Sequence, residues 1–574
     1  MKPIFSALVL TQIAFATQLL MQSPVSLAQD SNKSSLSARG AATTATITQQ
    51  LDQIGATYYK ANQPGATVIV VKDGKTLLRK AYGIANIDRK EPLQADYVMR
   101  LGSITKQFTS VAILQLVEEG KVALNDPVTK FFPDYPASGK SITVEHLLTH
   151  TSGIPSYTGK PDFIATAGKD ISVQEMVDSF KNDALEFEPG TAYKYNNSGY
   201  FLLGAIIEKV SGEPYAKFVE KRLFAPLGMK DTAYEGYERS KQARAAGYSQ
   251  LTGEFQPSMK ISMTQPYAAG ALTSTVDDLA KWDAAVSAGK LLKADHWKRA
   301  FTSYKLKNGQ DTNYGYGWGI GQFESQPMIS HGGGIPGFST FALSLPKDKV
   351  YVAVLTNADG GLAQPEMVAM RLAAAVIGKP IPEFKAVTLD QKTLDQYAGV
   401  YRIDENNRRI VVREGDKLVM TRTNGPRTVM QPYSQNGFFK DNNSLLRVEF
   451  NRNAKGEVIE AVVHQQGTSI SHPKLNEALP EAPKAFAMTP EQFDVFAGDY
   501  ELNPNFVLNV RREGNKFITQ ATGQGAVNIV AVSADTFSAP DVGAQLKFEK
   551  TADGKITQLV LTQGGQSMPA KKVK

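Results

Sequence analysis

Apolar and polar positions divide the chain into a helical and strand-rich front part and a β-rich rear part. From Ile47 to Lys60 apolar residues recur at helical spacing, which predicts a helix. Two strand-like runs follow, Ala66–Lys72 and Thr76–Tyr82, and the Asp73-Gly74 pair between them predicts a tight hairpin. From about residue 100 to about 300 the pattern is mostly helical, with long connections. Strand-like runs return at Tyr316–Ile320, Phe338–Leu345 and Val350–Asn357, and an apolar helix is expected over Pro365–Ile377. A sheet assembled from both ends of one segment, with helices inserted between, is an α+β arrangement.

Past residue 380 the texture changes to short alternating strands and turns. Leu394-Asp395-Gln396-Tyr397-Ala398-Gly399-Val400-Tyr401 matches Phe493-Asp494-Val495-Phe496-Ala497-Gly498-Asp499-Tyr500, and Arg413-Glu414-Gly415-Asp416-Lys417 matches Arg512-Glu513-Gly514-Asn515-Lys516. A common offset of about 99 residues means two duplicated β domains rather than a solenoid, whose periods are shorter. Each copy is long enough for a small antiparallel barrel of about eight strands. The expected domains are therefore 45–380, 390–470 and 490–574, with Pro473–Pro490 read as a linker.

The first residues carry a different message. Lys2 precedes an apolar run, Ile4 to Leu20, and Ser26-Leu27-Ala28 offers the small residues a signal peptidase reads. Thr11, Gln12, Thr17 and Gln18 interrupt the run, making it a poor permanent span. A cleaved signal peptide over residues 1–28 is expected, with a mobile leader to about residue 45, periplasmic or secreted destination and no stable membrane span afterwards. The chain has 574 residues, 42% hydrophobic and 21% charged, ordinary values for soluble globular protein. Its net charge of +7 forms no basic run, so no nucleic-acid partner is indicated. With no cysteine, disulfides, thiol nucleophiles, cysteine-zinc sites and a lipoprotein anchor are excluded.

The candidate chemistry lies in the front part. In Ser103-Ile104-Thr105-Lys106 the serine and lysine stand about one turn apart at the start of the apolar helical run Gln107–Glu119. A helix start adds backbone N–H groups and a positive field, which favour a developing oxyanion. Ser287, Ser344 and Ser471 also have a lysine three residues on, but none opens an apolar helix and two of the three runs contain proline. Two later segments single out Ser103. Tyr195-Asn196-Asn197 stands before another apolar helix, and His331-Gly332-Gly333-Gly334 precedes the run Phe338-Ser339-Thr340-Phe341-Ala342-Leu343. Glycines beside a strand edge let a substrate backbone approach closely.

Ser-x-x-Lys, Tyr-x-Asn and His-x-Gly, in this order, resemble the serine β-lactamase-related, penicillin-binding-protein-like superfamily over roughly residues 45–380. That group includes class C β-lactamases, D-Ala-D-Ala carboxypeptidases, D-aminopeptidases and some esterases. The phrases Glu145-His146-Leu147-Leu148-Thr149-His150-Thr151-Ser152-Gly153 and Leu223-Phe224-Ala225-Pro226-Leu227-Gly228-Met229 look like the family too. The resemblance implies an α+β transpeptidase-like domain, an antiparallel sheet flanked by helices plus a helical subdomain, followed by two lipocalin-like antiparallel β-barrels. It implies Ser103 as nucleophile, Lys106 and Tyr195 as the proton-relay pair, Asn197, His331 and Gly333 as substrate-binding residues, and the backbone N–H groups of Ser103 and Gly334 as the oxyanion hole. It requires no cofactor or metal.

Many members carry lysine where this chain has His331, and a histidine, mostly neutral at pH 7, holds an anionic substrate less firmly. The expectation is thus an exported hydrolase of small amide or ester substrates, peptide-like and of the D-aminopeptidase or carboxypeptidase kind. An esterase or weak class C-like β-lactamase is the enzymatic alternative, and a slowly acylating penicillin sensor the alternative from another class. No oligomeric state follows from the sequence. Gly332-Gly333-Gly334-Ile335-Pro336-Gly337 satisfies a dinucleotide-binding pattern, but a β-like run follows it rather than a helix. His146 and His150 have helical metal-ligand spacing in the wrong order for a zincin, and packed structural histidines are expected instead.

Overall fold

A computed structural model describes residues 44–160, 162–238, 241–250, 253–405, 407–423, 425–465, 468–480, 486–503, 506–522, 525–551, 554–563 and 566–573. The expected signal peptide lies outside these residues. Among the described residues no helix is long and apolar enough to cross a membrane. The chain divides near Ile381 into two compact units.

The first unit is built on an antiparallel sheet whose strands lie in the order Gly319–Phe323, Gln326–Ile335, Phe338–Leu345, Val350–Thr356, Ala66–Lys72 and Lys75–Tyr82. Asp73 and Gly74 both take positive φ, 50° and 73°, the left-handed pair that a two-residue hairpin demands. Val350–Thr356, which joins the two ends of the segment, is buried at every position. Tyr351, Ala353 and Leu355 on one face enter the core shared with Phe108, Leu279 and Trp282. Val350, Val352 and Val354 alternate to the opposite face, and the helices Thr44–Tyr58 and Pro365–Val376 pack together on the sheet. The helical insert carries Thr105–Glu118 and Asn197–Ser211, both apolar nearly all round and buried side by side.

One expected strand is displaced. Tyr316–Ile320 alternates aromatic residues with glycine, but the strand begins only at Gly319. Gly317 has φ 85°, outside any strand, and a Cβ there would come within 2.8 Å of the Lys106 carbonyl oxygen. The segment is a loop pressed against the helix that follows Ser103.

The second unit holds two closed eight-stranded up-and-down barrels, the first from Gly399–Arg402 to Thr468–Leu475 and the second from Gly498–Asn503 to Gln566–Lys572. Each repeated motif forms a short helix, Gln391–Asp395 or Pro490–Asp494, and runs into the first strand. Tyr401 donates its hydroxyl to the Tyr397 carbonyl and Tyr500 donates to the Phe496 carbonyl, both at 2.7 Å, which explains why the spacing recurs. Pro473, expected in a linker, sits inside the last strand of the first barrel, opposite Glu460. The first strand meets only Lys474 and Leu475 there, so no ladder bond from residue 473 is lost.

Candidate active site

Ser103 sits in a single 3-10 turn, Gly102–Ile104, that runs directly into the helix Thr105–Glu118. Gly102 adopts φ 54°, and a Cβ there would lie 2.9 Å from the Gly334 nitrogen. At Gly333 a Cβ would meet the Leu101 carbonyl oxygen at 2.0 Å. Thr340 donates its hydroxyl to that same oxygen at 2.8 Å. Glycine is thus required on both sides, because the backbone before Ser103 and the strand Gln326–Ile335 touch directly. The neighbouring strand Gly319–Phe323 pairs only with residues 326–330. The stretch 331–335 therefore has no strand on that side, and Gly334 and Ile335 line a cleft beside Ser103.

Lys106 is completely buried, and burial holds its amine well below the ordinary lysine range. Its Nζ reaches Ser103 Oγ at 3.1 Å, Asn197 Oδ1 at 2.9 Å and the Ala269 carbonyl at 2.9 Å. No carboxylate pairs with it among the described residues. Two acceptor oxygens fix two N–H bonds, so the third direction belongs to Ser103. When the amine is neutral, its lone pair points at the serine hydroxyl.

Tyr195 and Asn197 flank Asn196, the N-cap of the helix Asn197–Ser211, whose side chain accepts from Gly199 N at 2.7 Å. His150 holds this corner. Its backbone takes φ 59°, its carbonyl accepts from Lys194 N and its Nδ1 from Asn196 N, both at 3.0 Å. Its ring lies 4.2 Å from that of Tyr195. The Lys106 ammonium position lies 4.7 Å above the Tyr195 ring. The Tyr195 hydroxyl is buried and has no hydrogen-bond partner among the described residues; the reactive group it faces is Ser103. Burial pushes this phenol well above its usual pKa, against a smaller downward pull from Ser103. Asn197 spends Oδ1 on Lys106 and one Nδ2 hydrogen on Thr158 Oγ1 at 3.2 Å, leaving its other N–H toward the cleft.

His331, expected to bind substrate, has protein partners at both ring nitrogens. It is 7% exposed. Nδ1 donates to the Gly332 carbonyl at 2.6 Å, which leaves Nε2 to accept from the Tyr314 hydroxyl at 2.8 Å. Both ring nitrogens are therefore engaged, and burial together with the nearby Lys106 lowers its pKa to about 3. It is a neutral link that fixes the strand. The sequence reading missed Tyr314, whose only local signal is the aromatic–glycine run in which it lies, and missed the Ala269 carbonyl, which no side-chain pattern can reveal. His146 completes a capping box with Thr143 and His150 binds Asn196, so both histidines have structural work.

The cleft spans about 650 Å³, including space open to solvent. Beyond Ser103 and Asn197 its wall includes Tyr157, Phe163, Ile164, Met259, Ile261 and Ile335, and none of the residues lining it carries a charge. A nucleophile, a buried amine, a phenol and an apolar wall, supplied by segments near 103, 157–164, 195–197, 259–270 and 334, thus meet at one place.

Comparisons with known proteins bear on the family and the fold. The family model described as Beta-lactamase matches residues 44–377, and that of a domain of unknown function (DUF3471) matches residues 383–476. Penicillin-binding protein 4* of Bacillus subtilis (strain 168) is 28% identical over 413 residues, 68% of this chain and 91% of that protein. The octameric penicillin-binding protein homologue from Pyrococcus abyssi superposes with a TM-score of 0.53 at 27% identity, covering 74% of this chain and 97% of that one. The D-amino acid amidase from Ochrobactrum anthropi SV3, in complex with L-phenylalanine amide, gives a TM-score of 0.50 at 26% identity over 59% of this chain and 99% of its own.

Proposed function

The chain belongs to the β-lactamase family of serine hydrolases, and from that premise we propose that it hydrolyses small amides or esters with an apolar, uncharged acyl group through an acyl-enzyme on Ser103. The observation that carries the reading is the contact of 3.1 Å between Ser103 Oγ and a buried amine that has no carboxylate partner among the described residues. Neutral Lys106 takes the hydroxyl proton as Oγ attacks the carbonyl carbon. The oxyanion is received by the backbone N–H groups of Ser103 and Gly334, at the positive end of the helix. The proton then passes, with the Tyr195 phenol as neutral donor, to the departing amine or alcohol. Water, activated by the same groups, releases the acid and restores Ser103.

The charge-free cleft supports this substrate class. A carboxylate placed against Phe163, Ile164 and Ile335 would lose its hydration without gaining a cation. His331 does not supply one, being neutral and turned to Tyr314. Action outside the cytoplasm is part of the proposal and rests on the apolar run and Ser26-Leu27-Ala28 alone.

A substrate panel tests this. N-acetyl-phenylalanine amides of both configurations and p-nitrophenyl esters of apolar acids are compared with nitrocefin and a D-Ala-D-Ala peptide. The apolar, uncharged substrates are expected to have kcat/KM higher by about 100-fold or more, the size of one unpaired charge entering an apolar site. Faster turnover of the carboxylate-bearing pair would overturn the assignment.

A further inference from the structure

The two barrels grow from one repeated sequence, so each serves as the other's control. Tyr401 lies opposite Arg409 as Tyr500 lies opposite Leu508. Arg409 lies opposite Arg422 as Leu508 lies opposite Ala521. His472 lies opposite Ala461 as Ala570 lies opposite Leu559. Where the second barrel has leucine and two alanines, the first has two arginines and a histidine. The fold closes without those side chains, so barrel formation does not explain them.

Arg409 is 7% exposed and alternates with Val411, a core residue, so its side chain points inward. Its Nε donates to His472 Nδ1 at 3.3 Å. That is its hydrogen bond among the described residues; no carboxylate pairs with it there, and its two terminal nitrogens meet no acceptor. Neighbouring arginines differ. Arg408 pairs with Glu477, Arg413 with Asp395 and Arg427 with Asp541. Arg422 follows Leu418 and Met420 on the inward face, is exposed at the strand's end, and has no ion pair among the described residues. Like charges directly opposite on one face repel, and a buried guanidinium without an anion is costly. Burial, with the charge of Arg422, draws Arg409 down to about 10, and burial with both arginines draws His472 down to about 4, so His472 is neutral at pH 7.

We propose that this end of the first barrel binds an oxyanion, a carboxylate or phosphate group, between the paired terminal nitrogens of Arg409 and the side chain of Arg422. His472 occupies Nε and so turns the end-on face of the guanidinium to the ligand. Deeper in, Tyr397, Tyr401, Phe438 and Phe450 fill the barrel with rings in mutual contact. The site therefore takes an anionic group at its mouth, above an interior occupied by these rings.

Calorimetric titration of the full chain in phosphate-free buffer, with sodium phosphate and separately with sodium acetate, tests this. Saturable binding of at least one probe is expected, and which one binds assigns the group. Installing the second barrel's residues, Arg409→Leu with Arg422→Ala and His472→Ala, is expected to weaken binding about tenfold or more, the size of a lost charge-assisted pair. Without anion the same variant should melt at a higher temperature than wild type. Arg422→Ala alone, at an exposed position, guards against a folding defect and should weaken binding severalfold. Hydrolysis by the first unit is expected to be unchanged in both. No saturable binding of either probe up to about 20 mM, or variants that bind as tightly as wild type, would overturn the proposal.

Discussion

Ser103→Ala is expected to remove turnover of every substrate, with kcat falling on the order of 10⁶-fold while the fold is retained. The argument for both halves is structural. Ser103 supplies the atom that bonds to the acyl carbon, and no other group touching the Lys106 amine is a nucleophile: its other contacts are an amide oxygen and a backbone carbonyl. The loss of one oxygen at the cleft leaves Lys106 with Asn197 Oδ1 and the Ala269 carbonyl, so the buried amine is not orphaned and stability should change little. Steady-state hydrolysis of an activated ester, read alongside circular dichroism, checks this. A natively folded variant with wild-type activity would refute it.

The second large effect is a pH profile. Because burial lowers the pKa of Lys106, the neutral amine exists at pH values far below 10.5. kcat/KM should rise with pH as Lys106 loses its proton and then level off. No falling limb from Tyr195 is expected below about pH 10, because its pKa is raised. His331, with its pKa near 3, and His150, also held low by burial, should give no inflection near 6.5. Lys106→Met keeps the volume and removes the base, and should lower kcat by about 10²- to 10⁴-fold. The linkage has a definite sign. Between the lowered pKa and 10.5 the unfolded chain binds the proton that folded Lys106 has released, so stability should rise with pH across that window. Lys106→Met should flatten this slope. A rate profile unchanged in Lys106→Met would remove the lysine from the chemistry.

Much of this was legible in the sequence because it is local. The strands Ala66–Lys72 and Phe338–Leu345 emerge with the expected limits, since a period of two or an unbroken apolar run marks each directly. The duplication announced two barrels because the tyrosine that binds the carbonyl four residues back recurs in both copies. Ser103 and Lys106 were legible for the same reason, being about one turn apart where a 3-10 turn runs into a helix. What stayed hidden depends on convergence. Tyr157, Phe163, Met259 and Ile261 line the cleft from separate irregular loops that no periodicity links. The contact of His331 with Tyr314 was not legible, because Tyr314 comes from a loop whose aromatic–glycine alternation imitates a strand. Asn197 was identified as a substrate ligand, but the sequence did not show that its oxygen is spent on Lys106.

The spatial meeting of the serine with its amine is best tested by trapping. A fluorophosphonate is offered to the wild-type chain, the intact mass is measured, and the adduct is located by peptide mapping. One phosphonyl group on Ser103, with loss of fluoride and a labelling rate that drops sharply in Lys106→Met, is the expected result. An active enzyme that takes no label, or takes it on any residue other than Ser103, would contradict the assignment.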